Sequence, residues 1–300
     1  MLSDKFKGSF CGIFSAVCYG FNPFGAINLF KIGVNTSTMV FFRFLIASFL
    51  MAGVMLYKRE NFKITFKEAI FCAFLGFVFG ISAMALFYSY KFLDAGIAGT
   101  LLFTYPIFTA VLMKLLFKEQ ITVKTVVSMV AAFAGIVFLS RSESSSISVT
   151  GVIFVFISSI TYAVYLIIIN KVPKSLSSVK LTFYVIVFCT VSIYIISLII
   201  PNNKIALLTR FTPWLYILFL AFVPTLISFI TGVYAVKNIG STPTAVMGAF
   251  EPLTAVVIGI CIFGEHFSCH MLCGMVFIIG GVAFLVAGKS PQIDKEKVNC

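Results

Sequence analysis

The sequence predicts an all-α polytopic membrane protein of ten transmembrane helices, folded as two inverted five-helix repeats with both termini cytoplasmic. Three observations lead there: a mean hydropathy of +1.09 with only 11% charged residues, ten apolar runs of roughly crossing length, and a second half that repeats the first. Soluble domains carry about 25% charged residues, so water is not the solvent of most of this surface. The net charge of +12 does not describe a nucleic-acid reader, because the cations lie in short connections rather than along one helix face. Eight Cys are mostly scattered through apolar runs as small hydrophobes, and no disulfide framework is expected.

A helix needs about 20 apolar residues to cross hydrocarbon, and the expected spans are 8–28, 36–57, 67–90, 95–117, 123–140, 150–170, 179–200, 213–236, 241–263 and 270–288. The first begins like a signal peptide, Lys5-Phe6-Lys7 before an apolar run. It continues through Asn22-Pro23-Phe24 without a small-residue cleavage site and reads as an uncleaved span. Connections such as Lys58-Arg59-Glu60-Asn61 and Arg141-Ser142-Glu143-Ser144 are short and polar, leaving no room for a soluble domain. With the N-terminus cytoplasmic, sixteen Lys and Arg lie on that side against five outside (Lys31, Lys91, Arg141, Lys204, Arg210), with Arg43 left in the membrane. That imbalance places both termini in the cytoplasm of a multi-pass cell-membrane protein.

Shifting the chain by 146 residues superposes Tyr88 on Tyr234, Lys91 on Lys237, Pro106 on Pro252, Glu119 on Glu265 and Gly135 on Gly281. Near the start of each half the offset is 143, matching Gly8, Ser15 and Tyr19 with Gly151, Ser158 and Tyr162. The expected units are therefore residues 1–145 and 146–290, followed by a short polar cytoplasmic tail at 291–300. Five helices per unit is an odd number, so the second unit enters the membrane from the opposite side. Inverted repeats of this kind are carrier architecture.

These residues resemble the drug/metabolite transporter superfamily, EamA type. Its five-helix unit has a central Pro in the fourth helix, a Glu at that helix's end and a Gly-containing fifth helix. Here they correspond to Pro106, Glu119 and Gly135, then Pro252, Glu265 and Gly281; Arg43 in Phe41-Phe42-Arg43-Phe44 is similar to the family's second-helix Arg. Tyr19-Gly20 stands where the family often has a Trp. The resemblance covers nearly the whole chain and implies architecture more sharply than substrate.

Pro106 and Pro252 fall mid-span and should kink their helices, freeing the carbonyls of Leu102 and Gly248. Carbonyls freed in hydrocarbon need a partner or a wet cavity, and equivalent kinks in both halves favour a cavity at the midplane. Glu251, next to Pro252 and about 15 Å deep by helical rise, is the carboxyl at depth, and its repeat equivalent is Tyr105. An ionisable group there is a functional candidate: it binds an amine or other cationic group of the solute or a coupling proton, or else it is protonated and satisfies a freed carbonyl. Arg43 could pair with Glu251, but outward snorkelling of its long side chain is the reading the sequence favours. Tyr19, Asn22, Tyr88, Thr100, Thr104, Tyr162 and Tyr234 complete the candidate cavity, with Tyr165 in the same aromatic set; each one singly could equally be an anchor or core residue. Glu119 and Glu265 fit hairpin closure at membrane edges, with Thr122 and Ser268 capping the next helices.

His266, Cys269, His270 and Cys273 have helix-compatible spacing for a metal, yet their pairs project in different directions, and no metal or other cofactor is expected. Intramembrane hydrolysis would need a nucleophile with its base, a metal set or paired carboxylates, and no P-loop pattern is present, so neither an enzyme nor an ATP-driven pump is expected. The expected function is secondary transport of a small metabolite, an amino acid or related compound leaving the cell, with a proton or another ion as coupling partner. The alternatives are efflux of cationic drugs or, from another class, a membrane channel or receptor or an intramembrane enzyme.

Overall fold

The computed structural model describes residues 4–93, 95–118, 120–139, 148–170, 176–200, 204–263 and 269–287. Seven segments are long and apolar enough to cross a membrane. The first holds α1 (Asp4–Tyr19) and α2 (Asn22–Lys31), and α3 (Thr36–Tyr57) and α4 (Phe66–Ser89) follow. Next come α5 (Ala95–Leu102), α6 (Tyr105–Phe117) and α7 (Val123–Leu139), then the membrane-length α8 (Val149–Asn170) and α9 (Ser178–Ile199). One long segment combines α10 (Phe211–Ala221), a π-helical turn (Phe222–Ile227) and α11 (Ser228–Ile239); another combines α12 (Ser241–Met247) and α13 (Phe250–Phe263). α14 (Cys269–Ala287) ends the described chain. Seven membrane-length segments with shorter apolar helices among and after them are what the described residues show of the ten expected crossings.

Local chemistry sets the ends. The Asn35 side chain accepts from the Thr38 N–H at 2.8 Å to start α3, Thr65 and Glu68 form a reciprocal capping box on α4, and Ser177 caps α9 through the Lys180 N–H at 3.0 Å. Gly240, at φ +91°, makes the turn from α11 into α12 that a side chain would strain. The outer surface is apolar, with Phe49, Leu116, Val130, Leu198 and Val276 exposed. Hydroxyls such as Ser82, Ser158, Thr182 and Thr225 are buried instead. That inversion of the soluble pattern suits a lipid surround.

Three contacts occur twice, between residues displaced by the offsets of the sequence repeat. The Ser82 hydroxyl donates to the Ser158 carbonyl at 3.0 Å and the Ser158 hydroxyl to the Ser82 carbonyl at 2.9 Å, joining α4 to α8. Their counterparts join α1 to α11: the Ser15 hydroxyl donates to the Ser228 carbonyl at 2.7 Å. Gly151 lets α8 close on Phe92 and Leu93, as Gly8 lets α1 close on Asn238 and Ile239. Gly135 of α7 lies against Gly274 and Ile278 of α14, and Gly281 of α14 against Ser128 and Ala132 of α7. The order of these contacts makes α4 antiparallel to α8, α1 to α11, and α7 to α14. Ring contacts of Phe41 with Tyr194 (6.1 Å) and Phe62 with Phe183 (5.6 Å) make α3 antiparallel to α9 as well.

Four segments are interrupted near their middles, two more than the sequence reading anticipates. At the expected sites, the breaks fall just before the prolines, so Pro106 and Pro252 sit in the first turns of α6 and α13, where a missing N–H costs least. The carbonyls that they free are both met: Leu102 accepts from the Ser159 hydroxyl at 3.0 Å, and Gly248 from the Glu251 backbone N–H at 2.9 Å. The expected spans 8–28 and 213–236 each lie within one membrane-length segment, and both carry an interruption as well. The first breaks at Gly20-Phe21 ahead of Pro23, and the other carries the π-turn around Pro224. Pro224 withholds the donor that the Leu220 carbonyl would use, and the widened turn lets the Thr225 hydroxyl supply one at 2.7 Å.

Candidate functional site

A cavity of about 40 Å³ lies where the interruption before α13 faces α1, α8 and α11, with Tyr105 entering from α6 and Phe79 from α4. It has room for a few waters and falls well below the roughly 300 Å³ at which small-ligand pockets begin. The lining runs from Glu251, Tyr105, Tyr19 and Tyr162 to Ile169, Val236 and Thr244. Those last three lie near the end of the molecule at which α1 begins.

Glu251 and Tyr105, equivalent positions of the repeat, meet here. Both side chains line the cavity, and the Tyr105 hydroxyl and the Glu251 carboxyl interact there. Glycines make the approach possible: a β-carbon on Gly248 would collide with the Tyr105 hydroxyl, and one on Gly20 would sit 2.5 Å from the Glu251 carbonyl oxygen. The Glu251 side chain is half-buried and turns toward Tyr105 and the cavity, while its own backbone N–H serves the Gly248 carbonyl. Tyr105 packs edge-to-face on Tyr162 (4.8 Å between centroids), and Phe79 links Tyr165 (4.8 Å) to Phe229 (4.7 Å). The result is an aromatic box with one carboxyl.

Arg43 lies across Tyr19 from this box, and the expectation of outward snorkelling is overturned. The side chain is 0% exposed. Its Nε donates to the Thr225 hydroxyl at 2.6 Å, Nη1 to the Asn22 side-chain oxygen at 2.5 Å and Nη2 to the Pro224 carbonyl at 3.4 Å. The π-turn and the α1–α2 break supply these acceptors, so the guanidinium is met inside the protein rather than at the surface. Asn22 accordingly sits on Arg43 and not among the cavity's lining residues.

Other expected members lie elsewhere. Tyr88 covers Lys91, whose Nζ is 4.4 Å from the ring centroid, and packs on Phe154. Tyr234 is outside the lining as well. Thr104 donates to the Leu101 carbonyl at 2.8 Å and to Ser159, serving the break before α6. The Thr100 side chain, Glu119, Glu265, His266 and Ser268 lie outside the described residues. Cys269, His270 and Cys273 are exposed at the start of α14, and among the described residues no His, Cys, Asp or Glu side chains gather as a metal set would. The sequence marks none of Phe79, Phe229 and Gly232, and it marks Gly248 only through the carbonyl that Pro252 frees; Ser15 carries a signal only as a repeat position.

A helical membrane fold whose broken helices converge on a carboxyl-bearing cavity is built as a transporter is built. The chain belongs to the EamA-like transporter family, which matches residues 6–141 and again 149–287. An "uncharacterized transporter" of Archaeoglobus fulgidus is 24% identical over 63% of this chain and 66% of its own length. A second from that organism is 30% identical over 41% and 43%. The chain thus spans two thirds or less of these Archaeoglobus relatives. The "uncharacterized transporter sll1319" of Synechocystis sp. is 28% identical over 77% of this chain and 70% of its own length. A solved crystal structure superposes with a TM-score of 0.77 at 16% identity, covering 93% of this chain and 96% of that one, which speaks to fold. The family and the named relatives are transporters, not enzymes.

Proposed function

We propose that the protein is a secondary carrier that exports a small amine-bearing metabolite, an amino acid or a related compound, across the cell membrane by alternating access. In this reading ten helices form two repeats, residues 1–145 and 146–290, that cross in opposite senses, with 291–300 as a polar tail. Support comes from the family's two separate matches and from the contacts made twice at the repeat offsets. α7 and α14 hold the same place in their respective halves and run antiparallel, as do α3 and α9; opposite senses in equivalent places are the mark of inversion. The excess of Lys and Arg at the end where α1 begins favours a cytoplasmic setting for both termini and for that end. The cavity then loads from the cytoplasm past Val236 and Thr244.

The observation that carries the reading is the Glu251 carboxyl, beside Tyr105, in a cavity among interrupted helices. A carboxylate away from water needs a positive partner or a proton. The ammonium of a solute supplies the first during export, and a proton supplies the second on the return, which makes proton exchange the coupling. The solute does not fit the present volume, so loading requires α1 and α11 to part from α8.

Counterflow in proteoliposomes tests this. Labelled amino acid should accumulate in vesicles preloaded with the unlabelled compound, saturably and with a pH dependence that Glu251→Gln removes along with most of the flux. Flux that never saturates, or a Glu251→Gln protein with unchanged rate and pH profile, would sink the proposal.

A further inference from the structure

The Arg43 cluster is not used by that reading, and its chemistry is incomplete. The three acceptors that hold the guanidinium are neutral: a hydroxyl, an amide oxygen and a carbonyl, the last at a long 3.4 Å. Asn22, 2% exposed, gives its oxygen to Arg43, and its Nδ2 has no hydrogen-bond partner. A full positive charge and an amide donor without a hydrogen-bond partner thus lie buried side by side, an arrangement that is expensive in a membrane interior. An anion would relieve both at once. The planar guanidinium presents a fork matched to a carboxylate, and Nη2, whose one bond is the long one to the Pro224 carbonyl, is the arm with donor capacity to spare.

Access is through Tyr19. Its ring centroid lies 5.9 Å from the Arg43 guanidinium carbon, and the same residue lines the Glu251 cavity. Phe44 and Phe87 rings at 5.2 and 5.4 Å close other sides of the guanidinium. Tyr19 is the last residue of α1, beside the break at Gly20-Phe21, where the Phe21 N–H reaches back three residues to the Cys18 carbonyl at 3.3 Å in place of a four-residue helical bond. A residue at the end of a broken helix can turn without disrupting a continuous ladder.

We infer that Arg43 and Asn22 form a subsite for the carboxylate of the solute, joined to the Glu251 cavity when Tyr19 turns aside. The inference rests on the carrier reading of Glu251 and deepens it: the solute carries both charges, with its ammonium toward Glu251 and its carboxylate toward Arg43. Tyr19 stands between the two poles as the partition that the solute replaces.

Binding to the purified full chain in nanodiscs, followed by calorimetry, tests it with phenylalanine, methionine and lysine against the three amines left when their α-carboxylates are removed. The acids should bind about 10- to 100-fold more tightly than their amines, the range of a charge-assisted hydrogen bond. Arg43→Lys and Asn22→Ala should each weaken the acids more than the amines and so shrink that preference. Glu251→Gln should weaken acids and amines alike. Equal binding of acids and amines by the unaltered protein overturns the inference whether or not the variants fold. So does a titration in which sodium chloride alone saturates an Arg43-dependent site and the acids show no preference. If neither acids nor amines bind in a Glu251-dependent way, the carrier reading itself fails and the carboxylate subsite falls with it.

Discussion

Replacing Thr225 by Val probes how a buried arginine is held by a π-turn, because the side-chain shape is kept and only the hydroxyl is lost. That hydroxyl donates to the Leu220 carbonyl at 2.7 Å and accepts from Arg43 Nε at 2.6 Å. Valine leaves both groups without a partner. A hydrogen bond to a charged group contributes about 1.5–3 kcal/mol, and neutral side-chain bonds in membrane proteins average about 0.6 kcal/mol with a ceiling near 1.7. Because valine is nearly isosteric, no cavity contribution is added, and Thr225→Val should destabilise the protein by about 2–4 kcal/mol. Thr225→Ser keeps the hydroxyl and loses one methyl, for about 1 kcal/mol. Equilibrium unfolding in mixed micelles measures both. A Val variant within about 0.5 kcal/mol of the parent, or less costly than the Ser variant, would refute the idea that this hydroxyl tethers Arg43.

Gly248→Ala puts a β-carbon on the Tyr105 hydroxyl and should drive that ring off Glu251, costing about 1–3 kcal/mol in thermal stability and lowering solute affinity by calorimetry; adding Tyr105→Phe should recover stability but not affinity. Ser159→Ala removes the donor to the Leu102 carbonyl and should cost about 0.6–1.7 kcal/mol in the same unfolding assay. A β-carbon on Gly135 would lie 2.7 Å from the Gly274 carbonyl oxygen, whereas one on Gly281 would lie 3.0 Å from that of Ser128. Gly135→Ala should therefore be the more destabilising of the pair, and equal or reversed effects would contradict the α7–α14 packing.

Hydropathy places the helices well because length and apolar content are what a bilayer demands. The expected run 36–57 coincides with α3 (Thr36–Tyr57). Proline chemistry is equally direct: Pro106 frees the Leu102 carbonyl, and the structure shows the hydroxyl that meets it. The repeat brought Glu251 and Tyr105 together on paper, as equivalents about one axis. Facing direction is harder to read. In a membrane the lipid-facing and core-facing positions are both apolar, so the 3.6-residue pattern that orients a soluble helix barely separates Tyr88, which turns to Lys91 and Phe154, from Tyr162, which enters the cavity. Arg43 was misread for a related reason. Depth alone allows snorkelling, and two of the three acceptors that hold the side chain come from a π-turn about 180 residues away in sequence, the third from Asn22 at the α1–α2 break. Pro224 announces a disturbance there, but not whether the helix will bend, break or widen.

In the proposed carrier, equivalent positions of two oppositely oriented repeats line the pathway in alternation. Tyr90 is Val236 displaced by the 146-residue offset. Val236 lines the present cavity, while Tyr90 is packed against Phe87 at 5.6 Å on the Arg43 side. The most direct measurement is thiol modification by a membrane-impermeant reagent of V236C and Y90C, each alone in a cysteine-free chain in proteoliposomes, with and without a transported amino acid. The change should be reciprocal: conditions that protect position 236 expose position 90, each reacting from its own side of the membrane. Reactivity that rises and falls together at both positions, or from one side only, would contradict it.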